Sequence, residues 1–260
     1  LALERKLEEK YGLTEALIAV PAYEQSSDQE VAFQAVDYIL RVLKKNMVFG
    51  MTWGRAMHEF VEQLAKDERL RSLSFQNVKV VPFLGTPGAI QSDSWNTTTY
   101  SNTLATKVGN LLHCASYNLS APMYVEGTKE KELIESIDEI AKVLHMAETA
   151  DIALIGIGSM QDDSSIIKAE IRTKEEYKEL VRKGAVGEIV GRIYDKNGQT
   201  VDEDLKRKMV GISLDKIAKI PVRVGMSYGK DKIEAIKGAI AGGLVNVLVT
   251  DVPTAELLLK

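Results

Sequence analysis

Thr52, Trp53, Gly54 and Arg55 place a hydroxyl, an indole, a glycine and a guanidinium in four consecutive residues. The apolar run Met47, Val48, Phe49 and Met51 stands just before them, with Gly50 inside it, and has the length of a buried strand. From Arg55 onward, Met57, Phe60, Val61 and Leu64 recur at helical spacing. A strand, a glycine turn and a helix bring unpaired backbone N–H groups and the positive end of a helix dipole to one place, where phosphate and other anions are held. Thr52 supplies a hydroxyl there, Gly54 lets the backbone approach a ligand, and Arg55 adds a charge-assisted contact. The same joint also occurs in α/β proteins purely as packing, so on its own this stretch leaves both readings open.

Other chemistries find less support. Gly156-Ile157-Gly158 opens like a dinucleotide fingerprint, but Gln161 stands where a third small residue is required. No G-x-S-x-G nucleophile elbow occurs, and His58 and His145 lie in helical, apolar surroundings. The three histidines are too dispersed for a zinc site, so neither a metal nor a cofactor is expected. Phosphosugar isomerisation or deamination is the serious enzymatic alternative. Glu188, Asp162, Asp163 and Asp251 are candidate bases and Lys232 could polarise a carbonyl, yet nothing pairs a named acid with a named base. On pattern alone Lys232 reads equally well as a solvated lysine in a first helical turn.

The chain of 260 residues, 45% hydrophobic and 27% charged, suits one large α/β domain or two small ones. No apolar run approaches the roughly 20 residues of a membrane span. A single cysteine, Cys114, excludes an internal disulfide and points to a cytoplasmic setting. The net charge of −4 argues against a domain that grips nucleic acid by itself.

The elements that must position these residues follow an alternating pattern. Leu1, Leu3, Leu7 and Tyr11 mark a short amphipathic helix closed by Gly12. Strands are expected at Ala16 to Val20, at Val78 to Leu84, at Asp151 to Ile157, and at Val186 to Asp195, where Lys196-Asn197-Gly198 makes a turn. Two more are expected at Val222 to Met226 and Val245 to Val249. Helices are expected at Ala32 to Leu43, Thr103 to Leu112, Lys232 to Ala241 and Thr254 to Leu259. A long helix carries Leu133, Ile137, Ile140 and Leu144 on its inner face. The stretch Gln91 to Asn102, rich in Ser, Thr and Asn around Trp95, reads as a surface loop, or as a lid whose hydroxyls meet a sugar. Small or polar groups close five strands: Gly50 and Thr52, Gly85 and Thr86, Gly158 and Ser159, Ser227 and Gly229, and Thr250 and Asp251. In an open parallel sheet such ends share one crevice.

Five stretches in this order carry a resemblance: GMTWGRAM, DIALIGIGS, VGEIVGRIYDKNG, VGISLDKIAKIP and KDKIEAIKGAIAGGLVNVLVTDVPTAELLL. Together they resemble the C-terminal effector-binding domain of SorC/DeoR-type bacterial sugar-responsive transcriptional regulators, from about Leu7 to the C-terminus. The resemblance implies a Rossmann-like, mainly parallel sheet flanked by helices, as in ribose-5-phosphate isomerase, glucosamine-6-phosphate deaminase and CoA transferases. It implies residues 13–260 as the effector-binding domain and residues 1–12 as a linker helix to an N-terminal helix-turn-helix outside this sequence. A phosphorylated sugar is the implied effector, a dimer or tetramer the implied assembly, and operator DNA a partner only through that helix-turn-helix. By matching motif, Thr52, Trp53, Gly54 and Arg55 line the pocket, with Gly85, Thr86, Gly158 and Ser159 at neighbouring strand ends. Glu188 would accept sugar hydroxyls and Lys232 would contact phosphate. Two departures stand out: Met226-Ser227-Tyr228-Gly229 replaces a common Ala-Gly-Gly, and Pro87 stiffens the loop after Gly85. A domain serving only oligomerisation is the non-enzymatic alternative.

Overall fold

Among the described residues seven strands lie side by side in one sheet, and every neighbouring pair is parallel. The computed structural model describes residues 2–20, 26–87 and 97–260. Five strands of this sheet are β1 (Glu15–Ala19), β2 (Val48–Met51), β3 (Lys79–Pro82), β4 (Ala115–Ser116) and β5 (Ile152–Gly156). A smaller antiparallel sheet follows, made of β6 (Gly158–Ser159), β7 (Ala185–Ile189) and β8 (Arg192–Asp195). The chain then returns to the large sheet with β9 (Val222–Met226) and β10 (Val247–Asp251), giving the order β1-β10-β9-β5-β2-β3-β4.

Helices cover both faces. Those ahead of β5 are α1 (Ala2–Tyr11), α2 (Ser27–Val42), α3 (Arg55–Ala65), α4 (Ser101–Leu112), α5 (Thr128–Glu135) and α6 (Asp138–Glu148). Those after it are α7 (Ser165–Lys168), α8 (Lys174–Arg182), α9 (Glu203–Lys208), α10 (Leu214–Ile217), α11 (Ile233–Ala241) and α12 (Val252–Leu259). Strand side chains alternate between the two faces. Phe49, Val80, Leu154 and Val249 pack with Ile39 of α2, Phe60 of α3 and Leu104 of α4. Val81, Ile155 and Leu248 pack with Leu7, Ala147, Ile236 and Leu258 on the other face. Burial on both faces is why these strands read as continuous apolar runs rather than alternating ones.

The open edge of β1 is satisfied by α1. The Ala16 N–H donates to the Glu8 carboxylate at 2.9 Å and the Ile18 N–H to that of Glu4 at 3.4 Å. Lys10 and Tyr11 each donate to the Leu258 carbonyl at the end of α12. The first helix stops at Gly12, whose φ of +66° suits glycine.

Two expectations are corrected. The long helix around Leu133 to Leu144 is two helices, because Ser136 donates its hydroxyl to the Leu133 carbonyl and Ile137 turns extended (φ −64°, ψ 124°). Helical spacing survives across that break, so the pattern concealed it. Leu133 and Ile137 are 70% and 51% exposed, leaving Ile140 as the buried member of the row. The single strand expected from Val186 to Asp195 is a hairpin. Val190 and Gly191 both take positive φ, 55° and 68°, as a tight two-residue turn requires. Within the Ser/Thr/Asn-rich stretch, residues 91–96 lie outside the described residues. Its remainder forms a short 3₁₀ turn, Thr97–Thr99, and the start of α4.

Candidate functional site

Because the seven strands run one way, their C-terminal ends form a common rim. The direction in which strands are added to the sheet reverses between β2 and β5: from β2 the sheet continues to β3 and β4, and from β5 it continues to β9 and β10. Ligands of open α/β sheets settle at such a switch point. The two strand ends there are Thr52 to Arg55 and Gly156 to Ser159.

Thr52 is fully buried, and its Oγ1 accepts the Gly156 N–H at 3.0 Å, carrying the β2–β5 ladder beyond the strands. Trp53 is buried as well, and its side chain hydrogen-bonds the Glu188 carboxylate. Gly54 takes φ 108° and ψ 178°, open only to glycine, and turns the chain into α3. Its own N–H donates to the Thr99 carbonyl at 2.9 Å, so that amide serves the protein rather than a ligand. Arg55 is exposed on the first turn of α3, a turn without acidic residues or a side-chain cap.

Glu188 lies on β7 directly opposite Gly158 of β6. It is 6% exposed, and the Gly191 N–H of the hairpin turn donates to its carboxylate. That bond closes the turn in which Val190, a β-branched residue, holds positive φ. A Cβ at Gly158 would stand 2.8 Å from Glu188 Oε2, so any larger residue there would force the carboxylate to shift. Burial pushes the Glu188 carboxyl up to about 7, against the opposing pull of Gly191, Trp53 and Lys232. Ser159 is 5% exposed, and its Oγ lies 3.2 Å from Lys232 Nζ and 3.0 Å from Asp231 Oδ2. Lys232 closes the 3₁₀ turn Lys230–Lys232 that leads into α11.

The structure thus gathers Thr52, Trp53, Gly158, Ser159, Glu188 and Lys232 at one place, from segments far apart in the chain. Gly85 and Thr86 are engaged otherwise. The Gly85 N–H donates to the Val210 carbonyl, and a Cβ there would meet the Ala121 carbonyl oxygen at 2.5 Å. The Thr86 N–H donates to the Ala121 carbonyl, and its hydroxyl accepts from Asn102 at 2.8 Å. Asp251, weighed above as a base, caps α12 by accepting the Thr254 N–H. Sequence reasoning did not single out Asp231, which in the run Lys230-Asp231-Lys232 reads as an ordinary solvated charge. Among the described residues no group of three or more His, Cys, Asp or Glu side chains is placed to hold a metal ion. No helix among them is long and apolar enough to cross a membrane.

A parallel sheet with polar groups converging at its switch point defines a small-ligand-binding domain of the Rossmann-like class. The chain belongs to the sugar-binding domain family (Sugar-bind), whose model matches residues 1–260. It is 30% identical to the sorbitol operon regulator of Klebsiella pneumoniae over 264 residues, covering 100% of this chain and 80% of that protein. It is 26% identical to the deoxyribonucleoside regulator of Bacillus subtilis, with the same coverage of 100% and 80%. The crystal structure of full-length SorC from Klebsiella pneumoniae superposes with a TM-score of 0.87 at 29% identity, covering 100% of this chain and 80% of that one. A DeoR family regulator from Listeria monocytogenes superposes with a TM-score of 0.85 at 25% identity, covering 99% and 98%. These relatives are named as transcriptional regulators, not enzymes, so the chain is read as a regulator's sugar-binding domain and the isomerase alternative is not favoured.

Proposed function

We propose that this domain senses a phosphorylated sugar at the C-terminal rim of its sheet and controls operator binding by a helix-turn-helix outside residues 1–260. One observation carries the reading: Lys232 Nζ meets Ser159 Oγ at 3.2 Å beside a buried carboxylate, Glu188, at the switch point of a parallel sheet. A cation and a hydroxyl at the entry to a helix suit a phosphate, and a buried acceptor suits sugar hydroxyls. Arg55, on the uncapped first turn of α3, supplies a second cation to the same rim. Thr52, Trp53, Gly54 and Gly158 shape the floor, whereas Gly85 and Thr86 act by holding the neighbouring strand end.

In this reading residues 13–260 form the effector domain and α1 is the connector. Docking of α1 on the edge of β1 ties it to the sheet whose rim takes the ligand. Effector binding shifts contacts between copies in a dimer or tetramer, in the cytoplasm where the operator is. A ligand does this only by binding one arrangement better, with a coupling of typically about 1–3 kcal/mol.

The test is calorimetric titration with a panel of pentose and hexose phosphates. At least one should bind the native domain, and Lys232→Ala should weaken it by on the order of 100-fold while leaving the melting temperature in place. Unchanged affinity would remove Lys232 from the site. The absence of any ligand in the panel would favour a purely structural domain.

A further inference from the structure

The groups best placed to receive a phosphate are already engaged with a carboxylate of this same chain. Asp231 Oδ2 accepts from Ser159 Oγ at 3.0 Å and lies 3.9 Å from Lys232 Nζ. Asp231 Oδ1 lies over Gly229, 2.9 Å from where a Cβ at that residue would stand. Gly229 takes φ 111°, and its own N–H donates to Thr254 Oγ1 at 2.8 Å, which fixes the turn beneath the carboxylate. The carboxylate therefore bridges from the β9–α11 turn to β6 and sits at the entry to α11. Ser159 is 5% exposed. The Asp231 side chain is 49% exposed and is free to swing outward.

We propose that Asp231 is an internal stand-in for the effector's phosphate, and that it sets both the affinity threshold and the charge selectivity of the site. The proposal rests on the sugar-phosphate reading above and adds a specificity-determining residue to it. A phosphate dianion brings twice the charge of the carboxylate and more acceptor oxygens, so it can take over Ser159 and Lys232 and expel Asp231 to solvent. An unphosphorylated sugar offers no anion and leaves the carboxylate in place. A singly charged sugar acid meets a competitor of its own charge, already tethered. The site thus resists occupation by the unphosphorylated form of its own ligand.

The experiment titrates the native domain, Asp231→Asn and Asp231→Glu with inorganic phosphate and with the pentose and hexose phosphate panel. Asp231→Asn should bind inorganic phosphate about tenfold more tightly than the native domain. Asp231→Glu, which keeps the competing charge, should stay near the native affinity. Equal or weaker phosphate binding by Asp231→Asn, with sugar-phosphate binding by the native domain intact, overturns the role of Asp231 and leaves the sensor reading standing. Failure of both the native and Asp231→Asn domains to bind any phosphate compound overturns the two together.

Discussion

The two edges of the parallel sheet offer a ligand different things. At the N-terminal edge a groove of about 840 Å³ runs between α6 and the first residues of β2 and β3, lined by Val48, Tyr117, Ile140 and Met146. Another, of about 800 Å³, lies beside Asn46, Phe75 and Cys114. Burial pushes the Cys114 thiol there up to about 11, which favours the protonated thiol over the nucleophilic thiolate. The C-terminal rim instead gathers Glu188, Ser159, Asp231, Lys232 and Trp53, linked by hydrogen bonds and charge. Volume alone does not make a binding site; convergent polar groups do. The reason lies in strand polarity. In a parallel sheet the C-terminal strand ends lead into helix N-termini, which favour anions, while the opposite edge meets helix C-termini, which repel them.

The sharpest way to test this contrast is through Glu188. Its folded-state pKa stands near 7, above the usual 4.5, so the fold prefers the protonated carboxyl. The penalty is fully present above about pH 7, shrinks on acidification, and is gone below the ordinary value. Stability should therefore fall as pH rises through that window. Glu188→Gln should be more stable than the native domain at pH 8, by up to about 3 kcal/mol, with a flattened pH dependence in urea unfolding. It should also weaken sugar phosphates more than inorganic phosphate. A Gln variant that is less stable at pH 8 would show that the bonds from Gly191 and Trp53 outweigh desolvation.

A smaller effect is expected at Trp53. Trp53→Phe keeps most of the ring packing and removes the hydrogen bond to Glu188, a loss of about 1 kcal/mol. The Glu188 titration midpoint should move further upward, which carboxyl NMR would follow. A midpoint that stays put would place the indole out of contact with the carboxylate. The smallest effect is expected at the opposite edge. Lys142 lines the 840 Å³ groove and pairs with Asp138 at the surface. Lys142→Glu should leave both the melting temperature and phosphate binding essentially unchanged, because the side chain is solvated at the surface. A tenfold change in affinity would end the distinction between the two edges.

Much of this architecture was legible residue by residue. The run around Ile152 to Gly156 reads as a parallel strand because both its faces are apolar, and glycine or hydroxyl residues mark the strand ends along the rim. Helix boundaries inside a continuous pattern were less legible. The break at Ser136 and Ile137 depends on one hydroxyl turning back on a carbonyl, which leaves the apolar spacing intact. The Val190–Gly191 turn was hidden because valine is a poor signal for positive φ. It forms where the Glu188 carboxylate receives the Gly191 N–H.

By itself the order of residues determined the alternation of strands and helices, the parallel sheet and the common rim. These follow from local propensity and from apolar periodicity, which neighbouring residues impose on one another. Only the tertiary structure decided that Trp53 meets Glu188, that Ser159 stands between Asp231 and Lys232, and that Gly85 packs against backbone. Those meetings join segments far apart in the chain, and they depend on distances and desolvation that no local pattern encodes.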